Sequence, residues 1–263
     1  MLSRFASHSR ISSSSINRFL PSAFSNTRLI TNMSANEHTD RNKLFDVSPI
    51  TAVVTGGGSG IGLFITQALV QNGAKVYITG RREEALKAVV DKYNTGPGSI
   101  HSIQGDISDK SEVLRLAKEI SSKEPNGIQL LVNNAGVARD QSTQFSKNPP
   151  PKDMSDASAV SAHFLKSEPE SWDETFRINV TGSFFMSMAF LPLLDQGSKK
   201  LAAHGFTSSI INVSSISGAM KGSSGGQFSY AASKAATDHL VKLLAAKFSR
   251  WYIRVNSINP GCE

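Results

Sequence analysis

Residues 50–62 read ITAVVTGGGSGIG, and they set the architecture of the chain. Residues 50–55 are mostly β-branched and apolar, which predicts a buried strand. A glycine-rich turn follows, after which residues 63–72 carry apolar side chains at helical spacing and end at Gly73. A strand, a glycine turn and a helix in this order predict an α/β domain built on a parallel sheet.

The glycines of this turn indicate a site for a dinucleotide. Glycine lets the backbone approach a pyrophosphate, and the first turn of the following helix offers free N–H groups and a positive dipole end. The spacing is Gly-x-x-x-Gly-x-Gly. The alternative is a purely structural turn, but its position between a strand and a helix favours the binding site. The cofactor-binding candidates in this turn are Thr55, Gly56, Ser59, Gly60, Ile61 and Gly62.

The end of the second predicted strand, residues 75–79, bears on which cofactor is bound. A site selective for NAD(H) commonly places Asp or Glu near this point, on the ribose 2′-hydroxyl. Here Gly80 is followed by Arg81 and Arg82. Because guanidinium groups suit a 2′-phosphate, the sequence predicts NADP(H). The alternative is a pair of solvated arginines at the start of a helix.

Further strands are predicted at residues 99–104, 129–132, 208–213 and 251–258. With the first two strands they predict a doubly wound parallel sheet of the Rossmann type, in which ligands lie at the carboxyl ends of the strands. Residues at those ends complete the cofactor candidates of this half: Asp106, Ile107, Asn134, Ala135 and Gly136. Asp106 has two interpretations, since its carboxylate could accept from the adenine amino group or cap the helix that begins at residues 108–111.

Tyr230 and Lys234 are the first candidates for catalysis. They lie four residues apart at the start of a helical pattern that continues through residues 235–248, so they share one helix face. An ammonium beside a phenol favours the phenolate, and such a pair can exchange a proton with an alcohol or an alkoxide. The alternative is an ordinary Tyr and Lys on a partly exposed helix.

Two more candidates lie upstream. Ser214 and Ser215 follow the fifth strand, where a hydroxyl can donate to a carbonyl oxygen as negative charge develops on it. Asn179 lies in a helix predicted over residues 172–194, which is interrupted near Thr181 and Gly182 and weakened by a proline at 192. The alternative for Asn179 is a buried polar residue that bonds to backbone. Between these regions, residues 139–171 are polar and proline-rich, which predicts a long, partly disordered surface loop.

Composition bounds the classes of partner. Of the net charge of +7, four units come from arginines in residues 1–36, so the remainder gives little reason to propose nucleic-acid binding. No apolar run reaches the roughly 18 residues of a membrane span. No His or Cys cluster has the spacing of a metal site, and none is predicted. The single cysteine, Cys262, fits a reducing compartment.

Residues 1–36 are rich in Ser and Arg and contain no Asp or Glu, which is typical of a mitochondrial transit peptide. The alternative is a disordered cytosolic tail. We therefore divide the chain into a transit-like segment, residues 1–44, and a nucleotide-binding domain, residues 45–263. The expected location is the mitochondrial matrix, with the cytoplasm as the alternative.

The chain resembles the short-chain dehydrogenase/reductase family from about residue 50 to 261. The motifs that carry the resemblance are Thr55-Gly56-x-x-x-Gly60-x-Gly62, Asp106, Asn133-Asn134-Ala135-Gly136, Asn179, Ser215, Tyr230-x-x-x-Lys234 and Asn259-Pro260-Gly261. Around the site the sequence is most similar to fungal reductases related to 3-oxoacyl reductases. The resemblance implies the strand order 3-2-1-4-5-6 and an oxidoreductase that interconverts a small-molecule carbonyl and an alcohol.

The resemblance also implies a role for each matching residue. Tyr230 is the acid/base. Lys234 binds the nicotinamide ribose and acidifies the phenol, Ser215 rather than Ser214 holds the carbonyl, and Asn179 supports a water that leads protons to the site. Asn134 and Gly136 line the cofactor cleft, and the cofactor-binding set also includes Tyr230, Lys234, Pro260 and Gly261. Family members commonly form homodimers or homotetramers through helices that correspond here to residues 172–194 and 228–249.

Three lengths depart from the family pattern. The gap from Ser215 to Tyr230 and the segment 139–171 are both longer than expected, and both bear on the substrate pocket. The family usually continues for some tens of residues past Pro-Gly with a lid, a helix and a seventh strand, whereas this sequence ends at Glu263. We therefore expect six strands and no seventh. The alternative function is a catalytically silent nucleotide-binding or interaction protein.

Overall fold

The computed structural model describes residues 40–202 and 205–261. Of the predicted transit-like segment, residues 1–44, the first 39 residues lie outside the described residues, as do Cys262 and Glu263. The chain divides into two compact units, residues 1–45 and 46–263. In the first unit, the described part forms one short helix, α1 (Arg41–Leu44).

The second unit is built on a parallel sheet of six strands in the order β3-β2-β1-β4-β5-β6, which confirms the predicted doubly wound Rossmann sheet. The strands are β1 (Thr51–Thr55), β2 (Lys75–Gly80), β3 (Ser99–Gln104), β4 (Leu130–Asn133), β5 (Ser209–Val213) and β6 (Arg254–Ile258). The last strand is shorter than predicted, because residues 249–251 form a 3₁₀ turn and Tyr252 adopts a left-handed conformation with φ of 57°.

Helices cover both faces of the sheet. They are α2 (Gly60–Gln71), α3 (Glu83–Tyr93), α4 (Lys110–Lys123), α5 (Ala157–Phe164), α6 (Pro169–Phe176), α7 (Ser183–Leu201) and α8 (Phe228–Phe248). Successive residues of β1 point to opposite faces, so Ala52 and Val54 pack in one apolar cluster and Val53 in the other. The first cluster includes residues of α2 and α3, and the second includes residues of α4, α7 and α8. Because every strand pair is parallel, the carboxyl ends of all six strands lie at one edge of the sheet.

The interruption predicted near Gly182 is a π-helical segment, Arg177–Gly182, that joins α6 to α7. Pro192 does not end α7, which runs on to Leu201. Within the described residues, the stretch Pro169–Leu201 is the one helix long and apolar enough to cross a membrane, and half of its most apolar window is buried in the protein. That burial is typical of a core helix.

The loop predicted over residues 139–171 is wrong in part. It contains α5, whose N-terminus is capped by the Asp156 carboxylate accepting from Ser158 and Ala159 N–H groups. Three polar side chains in this segment are buried, those of Asp140, Thr143 and His163. A polar composition predicts a solvated loop, but here long-range hydrogen bonds satisfy the buried groups, and no local pattern reports them.

Candidate active site

Two adjoining cavities open at the carboxyl edge of the sheet. The first, of about 360 Å³, lies against the glycine turn, and the second, of about 780 Å³, lies against β5 and α8. The two share Ile61, Asn134, Gly136 and Val137 as lining residues. A ligand with two parts can therefore bind with one part in each cavity.

The glycine turn of the first cavity needs glycine at several of its positions. Gly56 and Gly60 have φ of 66° and 54°, a left-handed conformation that L side chains rarely adopt. At Gly62 an added Cβ would lie 2.3 Å from the Gly56 carbonyl oxygen and 2.5 Å from the Asn134 Nδ2 atom. Gly62 therefore packs the start of α2 directly against the turn.

The start of α2 fits the pyrophosphate of a dinucleotide. Ser59, which precedes α2, provides no side-chain cap, and the first turn holds no acidic residue. The N–H groups of residues 60–62 have no intrahelical partner, because the first turn of any helix lacks carbonyls before it. A Cβ built on Gly60 would meet no atom within 4 Å, so there is room beside these donors. Thr79 adds a buried Oγ1 without a partner on the cavity wall.

Thr55 and Asn134 tie the glycine turn to the end of β4. The Thr55 Oγ1 atom accepts from the N–H groups of Asn134 and Ala135, each at 3.0 Å. In return, the Asn134 Nδ2 atom donates to the Thr55 carbonyl at 2.9 Å and to the Gly56 carbonyl at 3.3 Å. Thr55 is fully buried and lines neither cavity. Its role in the structure is to hold the two turns together.

Arg81 and Arg82 line the first cavity, and both are exposed. Gly80 lies on the same wall, so no carboxylate stands at the end of β2. The Arg82 Nη2 atom lies 3.4 Å from the Ser59 hydroxyl. Neither arginine forms an ion pair with the residues that the structure describes. Two guanidinium groups therefore remain free to bind an anion beside the glycine turn.

Asp106 and Ile107 also line the first cavity. The Asp106 Oδ1 atom accepts from the Ser108 N–H at 2.9 Å, while Asp109 caps α4 by accepting from the Ser111 N–H. The helix-capping interpretation of Asp106 is therefore wrong, because the cap lies three residues later. Its second carboxylate oxygen is available to a ligand on the cavity wall.

Lys234 lies buried in the second cavity, one helical turn after Tyr230. Its Nζ atom donates to the Val213 carbonyl at 2.8 Å and lies 5.6 Å from the centre of the Tyr230 ring. Burial lowers the pKa of Lys234 to about 8, and the Asp238 carboxylate offsets part of that shift. A Cβ built on Gly136 would lie 3.3 Å from Nζ, so this glycine leaves space beside the ammonium on the wall that both cavities share.

The structure distinguishes the two serines after β5. The Ser214 hydroxyl donates to the Lys234 carbonyl at 3.0 Å, so its proton is committed to α8. The Ser215 Oγ atom instead accepts from the Ser217 N–H at 3.1 Å, which leaves its own proton free to donate. Ser215 lines the second cavity together with Tyr230 and Lys234. Ser215 is therefore the serine that can bind a substrate oxygen.

Asn179 lies in the π-helical segment and lines neither cavity. Its Oδ1 atom accepts from the Val137 N–H at 2.8 Å, and its Nδ2 atom donates to the Val137 carbonyl and the Ser233 hydroxyl, each at 2.9 Å. The alternative interpretation, a buried polar residue that bonds to backbone, is therefore confirmed. It holds Val137 on the wall that both cavities share, and the water relay stays a prediction.

Sequence comparison identifies the family. The sequence pattern described as short chain dehydrogenase matches residues 50–262, most of the chain. The chain belongs to the short-chain dehydrogenase family. This confirms the resemblance drawn from the glycine turn and the Tyr-x-x-x-Lys pair.

Individual relatives of this short-chain dehydrogenase give the same result. It is 37% identical to the short-chain dehydrogenase/reductase VdtF of Byssochlamys spectabilis over 234 residues, which cover 83% of this chain and 74% of that protein. It is 38% identical to PhomF′ of Diaporthe leptostromiformis, over 83% of this chain and 71% of the relative. A galactitol 2-dehydrogenase of Cereibacter sphaeroides is 30% identical over 84% of this chain and 74% of its own length.

Among solved structures, the Pseudomonas aeruginosa RhlG/NADP active-site complex aligns with a TM-score of 0.68 at 29% identity. The alignment covers 83% of this chain and 75% of that one. A short-chain type dehydrogenase/reductase from Mycobacterium marinum aligns with a TM-score of 0.66 at 28% identity, over 83% of this chain and 76% of that chain.

The structure of this short-chain dehydrogenase adds residues that the sequence did not indicate. On the first cavity they include Gly58, Thr79, Val137 and Ile178, and on the second Ser217, Met220, Ser224 and Gln227. Val137 directly follows the Asn-Asn-Ala-Gly cluster, so its position could have been inferred. The others follow from folding alone. Pro260 and Gly261, predicted to bind the cofactor, line the second cavity and not the first, and Gly60 and Gly62 support the turn without lining either cavity.

Proposed function

We propose that this short-chain dehydrogenase is an NADP(H)-dependent enzyme that interconverts a carbonyl and a secondary alcohol. The observation that carries the proposal is that Ser215, Tyr230 and Lys234 line one cavity, and that this cavity adjoins the glycine turn. A hydroxyl donor, a phenol and a buried ammonium then surround one substrate oxygen. A bound nicotinamide would supply the hydride in reduction and accept it in oxidation.

The chain's own residues would handle the oxygen and its proton. The free proton of Ser215 would donate to the carbonyl oxygen and stabilise the charge that develops there. The Tyr230 hydroxyl would transfer its proton to that oxygen, and it would remove the proton in the reverse direction. The Lys234 ammonium, buried beside the phenol ring, would stabilise the phenolate that remains. Asn179 would keep Val137, and so the shared wall, in place.

We expect the reductive kcat/KM to fall as the pH rises through about 8, because the pKa of Lys234 is about 8 and its neutral form cannot stabilise a phenolate. Lys234→Met should remove this inflection. The measurement is kcat/KM against pH, which reports the free enzyme. The same inflection in Lys234→Met would assign it to another group.

The lowered pKa of Lys234 also makes the free energy of unfolding depend on pH, in a direction that can be stated. The folded pKa of Lys234, about 8, lies below its ordinary value of 10.5, so between them the unfolded chain binds more protons. The contribution of Lys234 to the free energy of unfolding therefore rises with pH across that window.

We propose NADP(H) over NAD(H) because Arg81 and Arg82 line the first cavity and the end of β2, where an NAD(H)-selective site commonly places a carboxylate, holds Gly80. The structural neighbour from Pseudomonas aeruginosa was solved as an NADP complex at 29% identity. Arg81→Asp with Arg82→Ala should lower the NADP/NAD ratio of kcat/KM by roughly 100-fold, the equivalent of losing two charged contacts to a phosphate.

The control for that pair is Lys118→Asp, a charge reversal on the exposed face of α4 that lines neither cavity. It should leave the NADP/NAD ratio unchanged. If the arginine variant keeps the wild-type ratio, the two arginines are solvated residues without a role in cofactor choice.

For the substrate we propose a 3-oxoacyl-type ketone. The second cavity is about 780 Å³, and Ile61, Val137, Val213 and Met220 give it apolar surface suited to an acyl chain. Lys234 is the only charged residue among its described lining residues, and its ammonium is already bonded to Val213. A substrate with a free carboxylate or phosphate would therefore find no cation other than Lys234 among the described lining residues.

The test is cofactor titration by fluorescence together with a panel of 3-oxoacyl thioesters, aromatic ketones and sugar alcohols. Preferred turnover of the thioesters supports the proposal, and turnover of galactitol but not of thioesters contradicts it. Cofactor binding without turnover of any carbonyl or alcohol would favour the alternative, a silent nucleotide-binding protein.

We also propose that residues 1–36 direct the protein to the mitochondrial matrix, on the strength of their four arginines and lack of acidic residues. Residues 1–44 fused to a fluorescent protein should bring it into mitochondria. Replacing the four arginines with glutamine should leave the fusion in the cytoplasm. A fusion with the wild-type residues that stays in the cytoplasm would exclude the proposal.

We further propose a homodimer or homotetramer that forms through the helical stretches at residues 172–194 and 228–249.

A further inference from the structure

The two segments that are longer than the family pattern are bonded to each other. We call residues 140–165 the strap and residues 222–227 the cavity wall. The Phe145 N–H of the strap donates to the Gly225 carbonyl at 2.7 Å, and the Thr143 hydroxyl donates to the Gly226 carbonyl at 2.8 Å. A Cβ built on Gly226 would lie 2.1 Å from the Thr143 carbonyl oxygen. The wall therefore adopts its position in direct backbone contact with the strap.

The strap is anchored on both of its sides. His163 is buried, and its Nε2 atom lies 3.2 Å from the Thr143 carbonyl. The Phe164 ring packs edge-on against Phe228, the first residue of α8, with ring centres 4.9 Å apart. The buried Asp140 carboxylate accepts from the hydroxyl groups of Ser142 and Ser167. The strap thus connects the cavity wall to the helix that carries Tyr230.

Ser224 is the strained residue of the wall. It has φ of 52°, and Gly225 and Gly226 follow with φ of 64° and 91°. A left-handed conformation costs a residue other than glycine roughly 1 kcal/mol, and it persists only where neighbouring contacts determine it. The hydrogen bonds of the strap to the next two residues are such contacts. They hold the Ser224 side chain on the lining of the second cavity.

Ser224 is connected to Ser215 by two hydrogen bonds. Its Oγ atom lies 2.8 Å from the Oγ atom of Ser217, a buried residue. The Ser217 N–H in turn donates to the Ser215 Oγ atom at 3.1 Å. Movement of Ser217 would therefore change the direction in which the free proton of Ser215 points.

We propose that Ser224 is a positioning residue that, held by the strap, fixes Ser217 and through it the hydroxyl of Ser215. The inference rests on the proposed function, in which Ser215 donates to the substrate oxygen. This role explains why the two long segments occur together in one chain. Without the hydrogen bonds from the strap, the cavity wall would not hold Ser224 in its left-handed conformation.

The test measures turnover of a ketone with NADPH in the full chain. Ser224→Ala should lower kcat roughly five- to tenfold, the effect of one partly buried hydrogen bond, with less than about a twofold change in KM and in cofactor affinity. Thr143→Val removes the hydrogen bond from the strap to the Gly226 carbonyl and should also lower kcat. The matched control is Ser155→Ala, which removes an exposed hydroxyl that bonds Asp153 within the strap. Its kcat and KM should equal those of the wild type.

Ser224→Gly separates positioning from stability. Glycine relieves the left-handed strain and so should raise the free energy of unfolding above that of Ser224→Ala, yet it lacks the hydroxyl and should be as slow. If Ser224→Gly regains wild-type turnover, or Ser224→Ala never loses it, the inference is overturned while the proposed function stands. Absence of ketone turnover in the wild-type chain would instead overturn the proposed function itself.

Discussion

Tyr230→Phe is expected to lower turnover by roughly 10³-fold, because general acid–base groups typically contribute 10²- to 10⁴-fold. Phenylalanine keeps the ring beside the Lys234 ammonium, whose Nζ atom lies 5.6 Å from the ring centre in the wild type. It removes only the hydroxyl whose proton the mechanism transfers. Cofactor affinity should therefore change by less than about twofold, since one hydroxyl is lost from a large contact surface.

The matched control is Tyr93→Phe, which removes a phenol hydroxyl at the end of α3, outside both cavities. Turnover of a ketone and cofactor titration should be measured on both variants and the wild type. Wild-type turnover in Tyr230→Phe would remove Tyr230 from the mechanism. Loss of cofactor binding in Tyr230→Phe would instead attribute its lower turnover to a change in structure.

Gly62→Ala is the second change with a large expected effect. The added methyl group would lie 2.3 Å from the Gly56 carbonyl oxygen and 2.5 Å from the Asn134 Nδ2 atom, so the glycine turn must move away from α2. Overpacking of this kind costs about 1–3 kcal/mol in the free energy of unfolding. The same movement separates the turn from the N–H groups of residues 60–62, and we expect cofactor affinity to fall by roughly 100-fold.

Gly58→Ala in the same turn is the comparison for stability. There an added Cβ meets its nearest atom, the Leu86 Cδ2 atom, at 3.4 Å, an ordinary contact, and the backbone is not left-handed. The free energies of unfolding of the two variants, measured by thermal unfolding, should differ by at least about 1 kcal/mol. If Gly62→Ala keeps the stability and cofactor affinity of the wild type, the turn does not depend on the absence of a side chain there.

Much of the nucleotide half could be predicted because its signals are local. The strand before Gly56 is continuous and apolar, and the glycine turn and α2 follow immediately, so the bounds of the first five strands came within one residue. The choice of Ser215 over Ser214 came from the family resemblance and stays a prediction. The observation that supports it, the bond from Ser214 to the Lys234 carbonyl, joins residues 20 positions apart. A contact of that kind has no signature in either local stretch.

The strap could not be predicted for the same reason. Helix α5 has only eight residues, and a short helix among prolines and serines gives little periodicity. Its neighbours are fixed by the bond from Thr143 to Gly226, which lies 83 positions later. The environment of Lys234 was equally hidden, because a lowered pKa follows from burial, which a spacing of four residues does not report.

The most direct test of the central claim is transfer of deuterium from NADPH labelled at the reactive carbon to a ketone, followed by mass spectrometry of the alcohol. The account predicts that the wild-type chain places one deuterium on the carbinol carbon, and that Tyr230→Phe binds the labelled cofactor equally well yet forms almost none of this product. Labelled alcohol at the wild-type rate from Tyr230→Phe, or unlabelled alcohol from the wild type, would contradict it.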